Sequence, residues 1–356
     1  MKFDLTVASD ISEIPDSLIE LITGYFDHIY DKETFNSYFF KKYINKPFLL
    51  WLSFEGRIIA FYSLFIHRFV YGGKEYLGGK PELNIVSKDF LRYCLDNKIK
   101  YNQIDPMKIL IEKVFEIAQK NGVSFMYSWP NNIALGTYKR VGYNNKDIFF
   151  SVYQKIFSKK YIISKVNNPL FRLILNFMRI TATKPIFTSL RLDEVKVFSK
   201  DLIDISNIYY DLQKRNGYSF FIKKDNDIIN SRFEEIKFRK FIIHKGKAVI
   251  GYIVIKRHQG VDHIVDYCVD DRYISNILRL IDSDNADALY FRSYYNKTDN
   301  NKIQKPRLRE ILKMLFSGFI FIRNDKINLC SYYFNETPFL VEQDLFMGAF
   351  LSDYSV

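Results

Sequence analysis

Two stretches of the chain carry the same succession of apolar runs and charged turns. Each has an apolar run, a short turn with a glycine between charged residues, and a second apolar run. The runs are 48–52 and 58–64 in the first copy and 238–243 and 248–254 in the second. Apolar, β-rich runs around a tight turn at Gly56 or Gly246 predict a hairpin. Because helix ends near Asp31 and Asp225 precede the two hairpins, the sequence predicts an internal repeat.

The segments after each hairpin also correspond. The first copy continues with a predicted strand at 75–87, helix at 107–120, strand at 123–129, short helix at 133–141 and strand at 147–153. The second continues with a strand at 263–269, helix at 273–281, strand at 289–294, helix at 308–316 and strand at 327–333. The helices are predicted from apolar residues that recur at helical spacing. Two units of order β-β-β-α-β-α-β make the predicted fold class α/β, with mixed sheets.

A chain of 356 residues is longer than one hydrophobic core usually serves, so two domains are expected. We predict an N-terminal domain at 1–156, a connecting helical segment at 157–197 and a C-terminal domain at 198–356. The connecting segment contains many apolar side chains and is therefore predicted to hold a packed helix. These side chains are Leu170, Phe171, Leu173, Ile174, Phe177 and Met178.

The chain is basic, with a formal net charge of +12. Nucleic acid and a polyphosphate ligand are two partners that attract a basic protein. The positive residues are spread along the chain, with one denser stretch at 155–165 where lysines alternate with aromatic residues. This stretch is either a basic surface exposed to solvent or a site that recognises phosphate, and the sequence does not distinguish the two.

The three cysteines and five histidines lack the spacing of a disulfide framework or a metal site. We therefore predict no metal. The start of the chain lacks a long apolar signal segment, and no apolar run approaches the length that spans a bilayer. The expected location is the cytoplasm, with no membrane and no nucleic acid as partner.

Two motifs lie at the end of the strand at 123–129 and in the short helix after it. They are Phe125-Met126-Tyr127-Ser128-Trp129-Pro130-Asn131 and Tyr138-Lys139-Arg140-Val141-Gly142-Tyr143. With the predicted element order they resemble the GNAT acyltransferase superfamily, and the second motif is similar to its Tyr–Lys–x–x–Gly–aromatic pattern. The stretches 43–47 and 339–344 add to the resemblance, which spans nearly the whole chain. It is similar in particular to tandem-GNAT enzymes of bacterial surface-polysaccharide gene clusters.

This resemblance implies an N-acyltransferase that uses acyl-CoA as its co-substrate. The enzymes it resembles acylate the amino group of dTDP-linked 3-amino-3,6-dideoxyhexoses, with 3-hydroxybutanoyl-CoA as one donor. The implied partners are therefore two small molecules, an acyl-CoA and a nucleotide-linked amino sugar, in O-antigen or capsule biosynthesis. Aminoacyl-tRNA-dependent peptidyl transfer on the same fold and a non-catalytic double-GNAT binding protein are the alternatives.

The resemblance places the pyrophosphate-binding loop just before the helix at 107–120. Gln103 can take the first position of that loop, whereas the family's glycines are missing here. Asp105 and Pro106 form a good N-cap and first helical residue, so phosphate binding by the helix N-terminus and capping alone both remain open. The predicted acyl-CoA-binding residues are Gln103, Ile104, Asp105, Met107, Lys108, Asn131 and Lys139. The insertion at 88–100 is predicted to be a substrate-side loop or a surface excursion.

Acyl transfer to an amine needs a neutral amine, a polarised thioester and a protonated leaving thiol. By resemblance, Tyr138 donates the proton to the sulfur; the alternative is that it packs its helix against the sheet. Glu82 and Asn84 lie two apart in a strand and are predicted to share a face. Glu82 is then a candidate base, and Asn84 orients the acceptor. His67 is the rival base, or a packing residue.

The predicted acceptor-binding residues are Asn84, Trp129 and Asn132. Trp129 can stack on a sugar or base, or pack in the core. Asn131 can bind pantetheine amides, or start an Asx turn with Asn132 as the helix cap. In the second copy, Asp270 and Asp271 open the helix where phosphate would lie. The C-terminal domain is therefore predicted to be non-catalytic and to complete the acceptor cleft.

Overall fold

In the computed structural model, a mixed β-sheet with packed helices forms each of two units. Unit 1 consists of residues 1–147 and 328–340, and unit 2 of residues 148–327 and 341–356. The first boundary thus lies at 147, where the sequence predicted 156, and unit 1 also includes a piece from near the end of the chain. The structure describes residues 1–25, 30–41, 47–100, 104–181, 189–215, 220–234, 238–281, 286–295, 314–315, 317, 319–334 and 345–346.

Six strands in the described part of unit 1 form one sheet. They are β1 (Asp4–Ala8), β2 (Phe48–Phe54), β3 (Arg57–Tyr71), β4 (Lys74–Val86), β5 (Val123–Ser128) and the last residues of β13 (Phe319–Tyr333). Their order in the sheet is β1-β2-β3-β4-β5-β13. Neighbours are antiparallel except for β4 and β5, which run parallel. The helices are α1 (Asp16–Tyr25), α2 (Lys32–Asn36), α3 (Lys88–Asp96), α4 (Pro106–Lys120) and α5 (Asn132–Arg140), with a 3-10 turn at Ile11–Glu13 and a π turn at Ser37–Lys41.

Unit 2 repeats this arrangement. Its described strands are β6 (Asn144–Ile156) from residue 148 onward, β7 (Leu190–Val195), β8 (Phe220–Ile222), β9 (Phe238–Lys245), β10 (Ala248–His258), β11 (Val261–Cys268), β12 (Ala288–Tyr295), residues 319–327 of β13 and β14 (Leu345–Phe346). Six of them form the order β7-β9-β10-β11-β12-β6, and β8 pairs with β14. Only β11 and β12 are parallel neighbours within these six described strands. The helices are α6 (Lys159–Lys165), α7 (Pro169–Thr181), α8 (Ile205–Arg215), α9 (Asn226–Arg232) and α10 (Asp271–Leu280).

The two units therefore have the same strand order and the same strand directions, which confirms the predicted tandem α/β fold. Each begins with a strand that the hydrophobic pattern did not predict, β1 in unit 1 and β7 in unit 2. In each unit the last strand comes from a distant part of the chain, since residues 330–333 of β13 pair with β5 and β6 pairs with β12. The repeat is thus completed by strands that are not consecutive in sequence.

Most predicted elements are present within a few residues of their predicted bounds. The helix predicted at 308–316 and the closing stretch at 339–344 lie largely or wholly outside the described residues. The insertion at 88–100 was predicted to be a substrate-side loop or a surface excursion. Residues 88–96 form α3, which Ser87 caps through its side chain and whose residues are mostly exposed, in agreement with a surface excursion. No helix in the described ranges has both the length and the apolar character needed to span a bilayer.

The sheet of unit 1 separates two apolar cores. Strand alternation sends Tyr62 and Leu64 of β3 to one face and Phe61 and Phe65 to the other. The first face packs against α4, whose buried residues include Met107, Leu110, Ile111, Val114 and Ala118. The second packs against α1, whose buried residues are Leu18, Ile19 and Ile22. This division decides which side chains of β4 can reach α5.

Candidate active site

β4 and β5 run side by side only over part of their length. Their parallel pairing in the described structure ends at Gly79 and Met126. β4 nevertheless continues through residues 80–86 and β5 through residues 127–128. The other edge of β5 at this level pairs with β13. The two strands therefore part into an opening whose border is the backbone of β4, and such a strand edge can pair with an extended ligand.

Two glycines lie where the strands part. A Cβ atom on Gly78 would lie 2.6 Å from the Phe125 ring, and a Cβ atom on Gly79 would collide with the Met126 sulfur. Glycine at both positions allows β4 to approach β5 closely just before they separate.

We expect Gly79→Val to lower the free energy of unfolding by about 1–3 kcal/mol, because the added side chain overpacks the contact with Met126. Chemical denaturation measures this change. Gly24→Val is the matched control, since no atom lies within 4 Å of a Cβ placed on Gly24. An equal loss of stability in both variants would show that the close approach of β4 and β5 is not the cause.

A β-bulge in β4 lies beside the opening. Between Glu82 and Ile85 the strand has two residues, Leu83 and Asn84, opposite the single residue Tyr62 of β3. Leu83 takes the left-handed backbone conformation, with a φ of 49°. An extra residue reverses the faces that the following side chains take.

The predicted shared face of Glu82 and Asn84 is therefore wrong. The Asn84 side chain turns toward α5, where its Nδ2 donates to the Tyr138 hydroxyl at 2.5 Å. Glu82 lies on the opposite face of the sheet, where its carboxylate accepts from Lys80 Nζ at 2.8 Å. Alternation along the sequence predicts faces correctly only where the register is unbroken, and the bulge breaks it.

Tyr138 is buried on the α4 side of the sheet. Its hydroxyl lies 3.5 Å from the Tyr62 hydroxyl, and Ser128 is close enough to lower its pKa. Burial raises the pKa of Tyr138, and its polar interactions with Ser128, Tyr62 and Asn84 oppose that rise. The phenol is therefore protonated at neutral pH. Because Asn84 donates to its oxygen, Tyr138 keeps its own proton to donate to another acceptor.

Two buried polar atoms at the opening have no hydrogen-bond partner among the described residues. They are the acceptor Asn84 Oδ1 and the donor Trp129 Nε1. Asn84 lies five positions beyond Gly79, the last residue of β4 that pairs with β5 in the described structure, and Trp129 directly follows β5. Buried polar atoms in folded proteins are nearly always satisfied, so these two indicate a ligand or ordered water at the opening.

The N-terminus of α4 is capped by Asp105, whose carboxylate accepts from the Lys108 backbone N–H at 3.3 Å. The same carboxylate is ion-paired with Arg140 of α5 at 2.9 Å. The structure thus gives Asp105 the capping role that the sequence allowed. Because Arg140 balances its charge, Asp105 presents less repulsion to an anion at this helix end than an isolated carboxylate would.

The other predicted acyl-CoA-binding residues differ in exposure. Met107 is buried in the core under α4, and Ile104 packs partly against it. The Lys108 side chain is exposed and lies 3.7 Å from Glu112, and Lys139 is exposed in the last turn of α5. Gln103 lies outside the described residues.

Asn131 caps α5, since its side chain accepts from the Ala134 backbone N–H at 2.9 Å. The Asx-turn interpretation predicted Asn132 as the helix cap. The cap is instead Asn131. The side chain of Asn132 lies outside the described part of the structure. An Asn131 carboxamide engaged in capping keeps its Nδ2 available as a donor.

The two candidate bases lie on the face opposite Tyr138. His67 belongs to β3, pairs with Gly78 and has its ring in edge contact with that of Tyr127, with 6.2 Å between centroids. Glu82 and Lys80 form a pair whose side chains are almost completely buried. A ligand lying between β4 and β5 in the plane of the sheet is accessible from both faces, so acid and base on opposite faces are compatible.

The cysteine thiols are unsuited to covalent catalysis. Burial raises the pKa of Cys330, on β13, to about 11, and burial likewise raises the pKa of Cys94. Burial raises the pKa of Cys268 to about 12. A thiol with such a pKa supplies little thiolate at neutral pH. The described residues contain no group of three or more His, Cys, Asp or Glu side chains that can hold a metal ion.

The corresponding place in unit 2 has a different character. β11 also shows a register shift, near Asp266. The Asp266 carboxylate accepts from Lys224 at 2.6 Å and from the Tyr252 hydroxyl at 2.9 Å. At the start of α10, Asp270 is the N-cap and is ion-paired with Arg272. Buried charges at the shift are thus satisfied within the protein, in contrast to Asn84 Oδ1 in unit 1.

Tyr62, Ser128 and Arg140 belong to this candidate site and were not among the predicted site residues. Ser128 lies in the motif at 125–131 and Arg140 in the motif at 138–143. Apart from these positions, nothing in the sequence indicated that they belong to the site. Tyr62 lies in an apolar strand run where a tyrosine is ordinary. Their roles depend on contacts across the sheet and between helices.

No protein-family model matches the sequence, and a search among curated proteins found no match. Solved structures do match. A probable N-acyltransferase of unknown function from Enterococcus faecalis aligns with a TM-score of 0.64 at 10% identity, over 93% of this chain and 72% of that one. A GCN5-related N-acetyltransferase from Kribbella flavida aligns with a TM-score of 0.57 at 10% identity, over 93% and 72%.

N-myristoyltransferase from Saccharomyces cerevisiae, solved with bound myristoyl-CoA, aligns with a TM-score of 0.54 at 10% identity, over 93% of this chain and 82% of that one. At such identities a structural match establishes the fold alone. This chain therefore has the fold of the GCN5-related N-acetyltransferases, in a tandem arrangement.

Proposed function

We propose that this protein transfers an acyl group from acyl-CoA to an amine, with the chemistry in unit 1. The observation that carries the proposal is the opening between β4 and β5 together with the Tyr138 hydroxyl and the unsatisfied polar atoms beside it. The fold shared with N-acetyltransferases and with an enzyme that binds myristoyl-CoA supports the same conclusion.

The opening suits a pantetheine arm, which is extended and carries two amides. An amide offers one N–H donor and one carbonyl acceptor. Asn84 Oδ1 accepts, and Trp129 Nε1 donates, so the two unsatisfied atoms complement such a group. The backbone edge of β4 supplies further donors and acceptors in the manner of strand addition.

In the proposed reaction a neutral amine attacks the thioester carbonyl carbon. The C–N bond forms, the C–S bond breaks, and the departing sulfur takes the proton of Tyr138. The proton lost by the amine passes to a base on the other face of β4, Glu82 or His67. The base then releases this proton to solvent, and Tyr138 takes up a proton from solvent, so that both groups return to their starting state. The raised cysteine pKa values favour this direct attack over a covalent acyl-cysteine intermediate.

The phosphates of CoA are proposed to bind near the N-terminus of α4. The helix dipole favours an anion there, and Arg140 already lies beside that end. Lys108 and Lys139 expose their ammonium groups to solvent and are the proposed side-chain contacts, with Gln103, Ile104 and the Met107 backbone nearby in sequence. Asn131 is a further proposed contact to pantetheine.

The proposed acceptor is a nucleotide-linked amino sugar, with acetyl or 3-hydroxybutanoyl as the transferred group, in surface-polysaccharide biosynthesis. A chain of net charge +12 favours two substrates that each carry a diphosphate. Trp129 is proposed to stack on the acceptor, with Asn84 and Asn132 as its polar contacts.

The test is a thiol-release assay that pairs acetyl-CoA and longer acyl-CoAs with dTDP- and UDP-linked amino sugars, alongside calorimetric titration of each ligand alone. We expect release of CoA only when a donor and an amino sugar are both present. Acyl-CoA that neither binds nor turns over would refute the proposal. Transfer from aminoacyl-tRNA without use of acyl-CoA would establish the alternative activity instead.

A further inference from the structure

Helix α7 presents five apolar side chains to solvent. Leu170, Leu173, Ile174 and Phe177 are 66%, 67%, 46% and 68% exposed, and Phe171 is 47% exposed. Residues spaced by three, four and seven positions lie along one face of a helix, so these side chains form one continuous stripe. The prediction of a helix is therefore right, whereas these five side chains, expected to pack, face solvent.

The opposite face of α7 packs on the protein through polar groups. Arg172 donates to the carbonyls of Ile163 and Val166, at the C-terminal end of α6. Arg179 donates to the Phe157 carbonyl at 3.4 Å, and to the Asn176 side chain of its own helix at 3.1 Å. These bonds fix α7 with its arginines inward and its apolar stripe outward.

One apolar side chain anchors this inward face. Leu175 is buried in a small core with Ile156 and Ile162. A helix on a globular protein ordinarily buries its apolar stripe and exposes its charges. In α7 the apolar stripe is exposed and the arginines face the protein. The contacts of Arg172 and Leu175 hold the helix in this orientation.

The surrounding sequence is basic and free of acidic residues. Residues 148–192 contain no Asp or Glu. They contain Lys155, Lys159, Lys160, Lys165, Arg172, Arg179, Lys184 and Arg191, of which Lys155 is buried and donates to carbonyls at the end of α10. Lys159, Lys160 and Lys165 of α6 have exposed side chains, and Ile163 between them is 50% exposed. An exposed apolar stripe therefore lies beside exposed positive charge.

We propose that the α6–α7 segment binds the surface of an anionic lipid membrane. The apolar stripe enters the boundary between headgroups and acyl chains, and the lysines of α6 contact the headgroups. α7 has 13 residues and is about 20 Å long, which suits a helix lying in the membrane surface rather than crossing the bilayer. A second copy of this chain fits the same face less well, because it would bring like charges together.

This inference goes beyond acyl transfer and departs from the sequence-based expectation of no membrane partner. Its test needs no substrate. The full-length protein is sedimented with vesicles of phosphatidylcholine, with and without phosphatidylglycerol. We expect binding to the anionic vesicles, weak binding to the neutral ones, and release as salt is raised.

Two double variants separate the two contributions. L173Q/F177Q is expected to weaken binding to anionic vesicles at least about tenfold, through loss of buried apolar area. K159Q/K160Q is expected to weaken it by a similar factor at low salt. L95Q/L202Q is the matched control, since Leu95 and Leu202 are 77% and 51% exposed elsewhere on the protein.

Binding that L173Q/F177Q leaves unchanged, or that is equal on neutral and anionic vesicles, would overturn the proposal. So would a wild-type dimer that L173Q/F177Q converts to a monomer without any binding to vesicles, since α7 would then join two copies. Circular dichroism of each variant establishes that it folds. Acyl transfer to soluble acceptors is expected to be the same in all of them.

Discussion

Tyr138→Phe is expected to reduce turnover by about 100-fold or more while acyl-CoA binding stays within a few-fold of wild type. The change removes one buried hydroxyl and keeps the ring that packs edge-on against Tyr143. Without that hydroxyl the departing sulfur leaves as a thiolate with no proton donor. Steady-state kinetics and calorimetric titration with acyl-CoA measure the two effects separately.

The matched control is Tyr143→Phe, which removes a buried hydroxyl from a neighbouring ring in the same core. Equal losses of turnover in the two variants would mean that core packing, not proton donation, explains the effect. Unchanged turnover in Tyr138→Phe would remove Tyr138 from the mechanism. Thermal unfolding of both variants checks that each remains folded.

The pH dependence of wild-type turnover gives a second check on Tyr138. Because burial raises its pKa above the ordinary value of 10.0, the acid stays protonated throughout the neutral and mildly alkaline range. Turnover limited by chemistry should therefore not fall between pH 7 and about 9.5 through loss of this proton. A fall in that range that is absent in Tyr138→Phe would contradict the raised pKa.

Asp266→Asn is expected to lower the free energy of unfolding by about 3–5 kcal/mol, because it leaves the buried Lys224 ammonium without its counter-charge. Both side chains are almost completely buried, at 2% and 3% exposure. The variant also weakens the hydrogen bond that Tyr252 donates at 2.9 Å. Denaturant unfolding of the full-length protein measures the loss.

The double variant Lys224→Met/Asp266→Leu is the control that separates charge from packing. Replacement of both partners by apolar side chains removes the uncompensated charge, so we expect it to recover most of the stability lost in Asp266→Asn. Turnover should be close to wild type, since the proposed function has its chemistry in unit 1. A stable double variant that has lost turnover would place chemistry in unit 2.

Local sequence patterns were enough for several features. The two hairpins follow from apolar runs around Gly56 and Gly246, and both glycines have positive φ values of 75° and 60°. The start of α4 follows from Asp105 and Pro106, which serve as N-cap and first residue. Such features depend on residues a few positions apart, and the physical rules that govern them act over the same short distance.

The candidate site was predicted only in part. Tyr138 and Asn84 were both chosen from the sequence, and the structure brings them into hydrogen-bond contact. The grouping of Glu82 with Asn84 was wrong because the bulge at Leu83 adds a residue that no alternation rule reveals. The pairing of Asp105 with Arg140 joins residues 35 positions apart and has no local signature.

The amino-acid sequence by itself thus determines the helices and strands, their repetition and the N-caps of the helices. These features depend on steric contacts and hydrogen bonds between residues that are close in sequence. Tertiary packing decides the rest. It pairs β6 with β12 and the last residues of β13 with β5. It also turns Asn84 toward Tyr138 and faces the apolar stripe of α7 outward. Each of these is set by contacts between distant parts of the chain, whose energies depend on the register and the neighbours that folding brings together.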